Sequence, residues 1–149
     1  MAAIIREVGD SKEIKLEGAR FTVRALDYKT YNRLLSKLVL AKTAINPGNK
    51  DLSAEDIKKL QNEDFEKYVQ ANDAISAAYE GFVKAGVVGH SDLVKKSKDG
   101  GRTEIPFKAA VDGGPCEEIL ELYRSQKWVA TLANEVIGFN CTTEQEEKN

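Results

Sequence analysis

The sequence predicts an α+β fold in one domain spanning residues 1–149, and three observations predict it. Residues 13–26 alternate polar with apolar side chains, the period of a half-buried strand. Residues 28–41 and 65–83 instead repeat apolar side chains every three or four positions, the period of a helix with one buried face. A second strand signal, centred on Asp99-Gly100-Gly101, precedes two short helical stripes. Strands set apart from helices, instead of alternating with them, argue for α+β over a parallel α/β sheet.

Taken in order, Glu13-Ile14-Lys15-Leu16 and Arg20-Phe21-Thr22-Val23-Arg24-Ala25-Leu26 flank Glu17-Gly18-Ala19 and read as a β-hairpin. Its buried face is expected to hold Ile14, Leu16, Phe21, Val23 and Ala25. Ile4-Ile5 is expected to add a short strand. Asp27 reads as a helix N-cap, followed by the stripe Tyr28, Tyr31, Leu34, Leu35, Leu38 and Ala41. Asn46-Pro47-Gly48-Asn49 should stop that helix. Ser53 and Asp56 resemble a capping box ahead of Ile57 and Leu60, with Asp in place of the usual Glu or Gln. Asn62 is expected to cap the longest helix, whose stripe is Phe65, Tyr68, Val69, Asn72, Ile75, Tyr79, Phe82 and Val83. Gly86 sits where a left-handed C-terminal residue is expected.

Residues 87–107 read as one strand, a turn at Asp99-Gly100-Gly101, and a return strand that Pro106 ends or keeps at an edge. Pro115 suits the first position of a helix carrying Ile119, Leu120 and Tyr123. Ser125 is expected to cap the last helix, with Trp128, Val129, Leu132, Val136 and Ile137 inward and Phe139 closing it. Residues 140–149 read as a flexible acidic tail.

The chain of 149 residues is long enough to bury a core without staples, and its 42% hydrophobic and 31% charged residues suit a globular protein. A net charge of −2 argues against phosphate-backbone binding, so no nucleic-acid partner is expected. The densest basic run, Lys95-Lys96-Ser97-Lys98 with Arg102, reads as a solvated turn. The first seven residues are too short and too charged for a signal peptide, and no apolar run approaches a membrane span. A soluble, intracellular protein is expected.

The sequence carries no recognisable catalytic or cofactor motif. The glycines form neither a phosphate loop nor a dinucleotide fingerprint. His90 is the only histidine and Cys116 and Cys141 the only cysteines, so a zinc site lacks ligands. His90 reads as a surface or partly buried turn residue. Cys116 is expected in the first turn of a helix, where the dipole would lower its pKa while Glu117 and Glu118 oppose that. Asp51, Glu55, Asp56, Glu63, Asp64 and Glu66 read as helix starts and solvated faces. No catalytic residue, cofactor or metal is expected. Trp128 and the aromatic stripe read first as core, and second as a partner surface made by Tyr68, Ile75, Tyr79, Phe82 and Trp128.

The order of segments resembles that of the tail assembly chaperones of long-tailed bacteriophages. In that group a strand pair like Glu13-Ile14-Lys15-Leu16 and Phe21-Thr22-Val23-Arg24 leads into helices. A segment like Ala85-Gly86-Val87-Val88-Gly89 follows, then a strand ending like Ile105-Pro106-Phe107. The chain closes like Phe139-Asn140-Cys141-Thr142-Thr143-Glu144-Gln145-Glu146-Glu147-Lys148-Asn149. The resemblance covers roughly residues 13–149. It departs at His90, where a tryptophan is usual, and at residues 95–101, a longer and more basic turn. It implies a non-enzymatic factor of the host cytoplasm, absent from the mature virion. Such a factor binds the tape measure protein and helps recruit the tail tube protein; repeated binding along a long partner would favour self-association as a homo-oligomer. The competing reading is a structural protein of the phage neck or tail that stays in the particle.

Overall fold

A computed structural model describes residues 7–45, 53–63 and 65–141. The fold is α+β: an N-terminal hairpin, a helical middle, a second small hairpin and two C-terminal helices. The strand expected at Ile4-Ile5, the turn at residues 46–49 and the acidic residues 144–149 lie outside the described residues.

Strands β1 (Ser11–Leu16) and β2 (Ala19–Arg24) form the expected hairpin, with Leu16 opposite Ala19. Both turn residues are left-handed, Glu17 at φ 50° and Gly18 at φ 89°, and such turns match the twist of the strands they join. Phe21, Val23 and Ala25 are buried as expected, while Ile14 and Leu16 on the outer strand are half-buried against the same core.

Helix α1 (Tyr28–Ile45) starts at Asp27, whose Oδ1 accepts from the Thr30 amide at 2.8 Å. Tyr28 leaves the expected stripe: as the first helical residue it points to solvent and is 78% exposed. Helix α2 (Ala54–Glu63) opens with a reciprocal capping box. The Asp56 amide donates to Ser53 Oγ at 3.1 Å and the Ser53 amide to Asp56 Oδ2 at 3.3 Å. Aspartate thus serves where glutamate is usual. Asn62 caps nothing, because it lies inside α2.

Helix α3 (Phe65–Gly86) is the longest among the described residues, and the stripe read from the sequence is buried at its C-terminal end but exposed at its start, with alanines adding to the buried face. Ala71, Ala78, Phe82, Val83 and Gly86 are buried, whereas Phe65 and Val69 are exposed. Gly86 is not left-handed; it ends the helix pressed against α5 (Val129–Cys141). A Cβ there would stand 2.4 Å from Val136 Cγ1, so close helix packing, not a turn, is what requires glycine. Arg24 caps the same helix end, its Nε donating to the Ala85 carbonyl at 2.8 Å.

The long extended stretch divides. Strand β3 (Val87–Ser91) does not pair with the return strand but joins β2, giving the sheet order β1-β2-β3, all antiparallel. Asp92, left-handed at φ 59°, turns the chain away, and β4 (Val94–Lys96) and β5 (Arg102–Glu104) make a separate exposed hairpin. Pro106 follows the end of β5.

Pro115 precedes helix α4 (Glu117–Ser125) and sits in an isolated bridge with Ala109. Cys116 is the N-cap itself, extended and without a side-chain capping bond, not a first-turn residue. Ser125 ends α4 instead of capping α5. The link is a Schellman arrangement: the Trp128 amide donates to the Tyr123 carbonyl and the Lys127 amide to the Arg124 carbonyl, both at 3.0 Å. Lys127 takes the left-handed place at φ 61° that glycine usually fills, which is why the sequence conceals it. Asn140 and Cys141 belong to α5, not to the tail. Asn140 Oδ1 accepts from the Leu26 amide at 2.7 Å, locking the helix onto the end of β2.

The core lies between the sheet and helices α3, α4 and α5. Phe21, Val23, Phe82, Val83, Val87, Leu120, Tyr123, Leu132 and Val136 are all 0% exposed there. Helix α1 joins this cluster through Leu34 and Leu38, and α3 from Ile75 onward. Beyond those points the two helices run on as a paired arm, held by Ala41 and Ala71 outside the core cluster.

Candidate functional site

Two places concentrate chemistry: a polar knot around His90, and a groove between α1 and α3 that runs from the core cluster onto the arm. Strand pairing sets His90 opposite Phe21, and its ring is held edge-on by Phe21, Phe107 and Tyr123. His90 Nε2 lies 2.8 Å from the Ile105 carbonyl, which can only accept, so Nε2 carries the proton. Nδ1 then accepts from the Tyr123 hydroxyl at 2.6 Å. Burial pushes the His90 pKa down, and burial pushes the Tyr123 hydroxyl up. Both ring nitrogens are therefore occupied by partners within the protein, and the ring fastens β3 to α4 and to the segment after β5. Neither nitrogen is left to take a substrate proton in this arrangement.

Nearby, Trp128 Nε1 donates to Glu17 Oε2 at 2.8 Å, joining the start of α5 to the first hairpin turn. Beside it lies a concavity of about 530 Å³ with Asp92, Lys95, Lys96 and Gln126 on its walls, a mixture of both charges. Arg124 ties α4 to α3 by donating to Glu80, and also to Glu117 at 2.6 Å and Glu121 at 2.7 Å. Among the described residues no group of three or more His, Cys, Asp and Glu could hold a metal ion. No described helix is long and apolar enough to cross a membrane.

The groove is of another kind. It has a volume of about 690 Å³ and runs between α1 and α3, from Lys67 to Gly81 on α3 and from Leu34 to Ala44 on α1. Its floor is made of small residues, Ala41, Ala71, Ala74, Ala77, Ala78 and Gly81. Small residues at spacings of three and four bring the two helices together while leaving a trough above them. A Cβ at Gly81 would stand 2.8 Å from Leu34 Cδ2, so the glycine lets Leu34 lie against α3. Leu40 forms part of the wall and is 70% exposed, a large apolar side chain left facing solvent. Lys37 and Lys67 add one cation from each helix, and among the described residues no carboxylate lines the trough.

The residues predicted to meet a partner fall elsewhere. Phe82 is 0% exposed and Trp128 7%, so both belong to the core and offer no surface in this fold. Phe82 packs edge-on against Tyr31, and Trp128 against Phe21. Ile75 and Tyr79 are half-buried against the core, and Lys42 Nζ covers the Tyr79 ring at 5.6 Å from its centre. Tyr68 is half-buried on the outer part of α3. None of the five lines the groove. Sequence reading missed it because it follows large side chains, whereas the signal is the run of alanines at 71, 74, 77 and 78.

No family model, curated protein or solved structure matches the chain.

Proposed function

We propose that this chain is a tail assembly chaperone of the kind found in long-tailed bacteriophages, a non-enzymatic factor acting in the host cytoplasm. It holds helical segments of the tape measure protein in the α1–α3 groove and helps recruit tail tube subunits around it. The groove is the observation that carries this reading. Its small-residue floor and the exposed Leu40 form an apolar trough of about 690 Å³ on the surface of the α1–α3 pair. A trough of this shape suits the apolar face of an amphipathic helix, with affinity from buried area and specificity from the side chains at its rim. A long, helical, aggregation-prone partner presents such faces repeatedly, and a small domain covering them keeps it soluble.

Co-expression with the tape measure protein tests the proposal. The tape measure protein is expected in the soluble fraction with this chain and in the insoluble fraction without it. Purified virions should lack the chain. Unchanged solubility overturns the proposal, and finding the chain in finished particles favours a structural protein of the neck or tail instead.

A further inference from the structure

We propose that the helix seated in the α1–α3 groove is acidic along both edges and carries large apolar side chains along its centre. The inference rests on the reading of that groove as the partner-binding face, and it names the chemistry of the occupant. The groove's length sets the length of the bound segment. From Lys67 to Gly81 on α3 the axial rise is roughly 21 Å, about four helical turns at 1.5 Å per residue. The small floor sets the size of the apolar groups. Ala71, Ala74 and Ala77 leave open volume that leucine or phenylalanine side chains at successive turns can fill, while small side chains would leave it empty.

Charge sets the flanks. Lys37 on α1 and Lys67 on α3 stand on opposite walls, both exposed, and neither makes an ion pair with a described residue. With no carboxylate among the described lining residues, a helix bearing Glu or Asp beside its apolar stripe finds a cation on each side. Basic flanks would meet like charge. A second copy of this chain docking groove to groove would bring two pairs of lysines together, so self-pairing through this face is disfavoured. The chain's own residues 142–149 supply Glu144, Glu146 and Glu147 but no large apolar side chain to fill the trough.

The test uses the full chain and two labelled synthetic helices of about 18 residues, matched to the groove's roughly four turns with one further residue or two at each end. Both peptides share one Leu/Phe stripe; one is flanked by glutamates and the other by lysines. Fluorescence anisotropy is expected to show the acidic peptide bound roughly three- to tenfold more tightly, the scale of two exposed ion pairs. Replacing Lys37→Glu together with Lys67→Glu should reverse the preference. Ala77→Trp, a change at an exposed position, should abolish binding of both peptides while the circular dichroism spectrum stays that of the wild type. If Ala77→Trp blocks binding but the two peptides bind equally, the charge inference is overturned and the groove stands. If Ala77→Trp changes nothing, or neither peptide binds, the groove reading falls and this inference with it.

Discussion

The same two helices, α1 and α3, build two unlike regions. Near the sheet they meet large side chains: Phe82 and Val83 lie at 0% exposure among Phe21, Tyr123 and Leu132, and Leu34 and Leu38 close the layer. Along the arm they meet through Ala41 and Ala71, with Val39, Leu40, Phe65 and Val69 left exposed. The body gathers its apolar surface inward and fixes it with directed bonds such as His90 to Tyr123 and Asn140 to Leu26. The arm buries little and leaves apolar area outside. Recognition thereby lies mostly beyond the packed body, with the groove reaching back to it at Leu34 and Ala78, and this division can be broken or sharpened by substitution.

The largest difference is expected from removing one apolar side chain in each region. Phe21 is fully buried and its ring touches those of Tyr123 and Trp128 edge-on, so Phe21→Ala loses transfer energy and leaves a cavity. A cost of about 3–5 kcal/mol is expected from urea unfolding. Leu40→Ala removes a side chain that is 70% exposed and should change stability by less than about 0.5 kcal/mol. Similar costs for the two would show that the arm is part of the body's core.

Packing closeness gives the next effect. Gly86→Ala puts a methyl 2.4 Å from Val136 Cγ1 and 2.7 Å from its Cγ2, and Val136 is itself fully buried and cannot swing away. Overpacking of this kind should cost about 1–3 kcal/mol. Gly138 lies in the facing helix α5 with open space beside it, so Gly138→Ala should be neutral or stabilising, as alanine is the better helix former by about 1 kcal/mol. Thermal unfolding of the two variants side by side checks the contrast, and equal shifts would remove close packing as the reason for Gly86.

Much of the body was legible in the sequence because large side chains announce their burial. The hairpin at β1 and β2, the capping box of α2, and Ile119, Leu120, Tyr123, Leu132 and Val136 all follow from alternation, spacing and polar caps. What failed to show depended on partners distant in the chain. Val87–Ser91 reads as extended, but only the tertiary fold decides that it pairs with β2 instead of the segment that follows. Gly86 has the look of a helix stop, yet the reason for it is Val136, fifty residues away. Lys127 gives no sign of a left-handed cap, because the residue that normally marks one is absent. The groove stayed hidden for a further reason. Alanine is common in any helix, and nothing local tells a floor of alanines from a solvated face.

The smallest effect expected is a pH dependence that belongs to the body alone. His90 is the one histidine, so no other side chain has its ordinary titration between pH 5 and 7. Burial holds its folded-state pKa below the ordinary value of 6.5. The unfolded chain therefore binds the proton first on acidification, and stability falls as the pH drops below about 6.5 toward the folded-state value. Above that range the neutral ring, donating from Nε2 to the Ile105 carbonyl and accepting at Nδ1 from Tyr123, contributes in full. Protonation gives Nδ1 a hydrogen too, and the Tyr123 hydroxyl must then reverse its role inside a buried aromatic cluster. Urea midpoints at pH 7.5 should exceed those at pH 5.5, and His90→Gln should flatten that slope while lowering stability at both values. Peptide binding in the groove should follow neither change, because His90 does not line it. A binding curve that tracked the His90 titration would mean that the arm and the body are coupled, and the division between them would have to be redrawn.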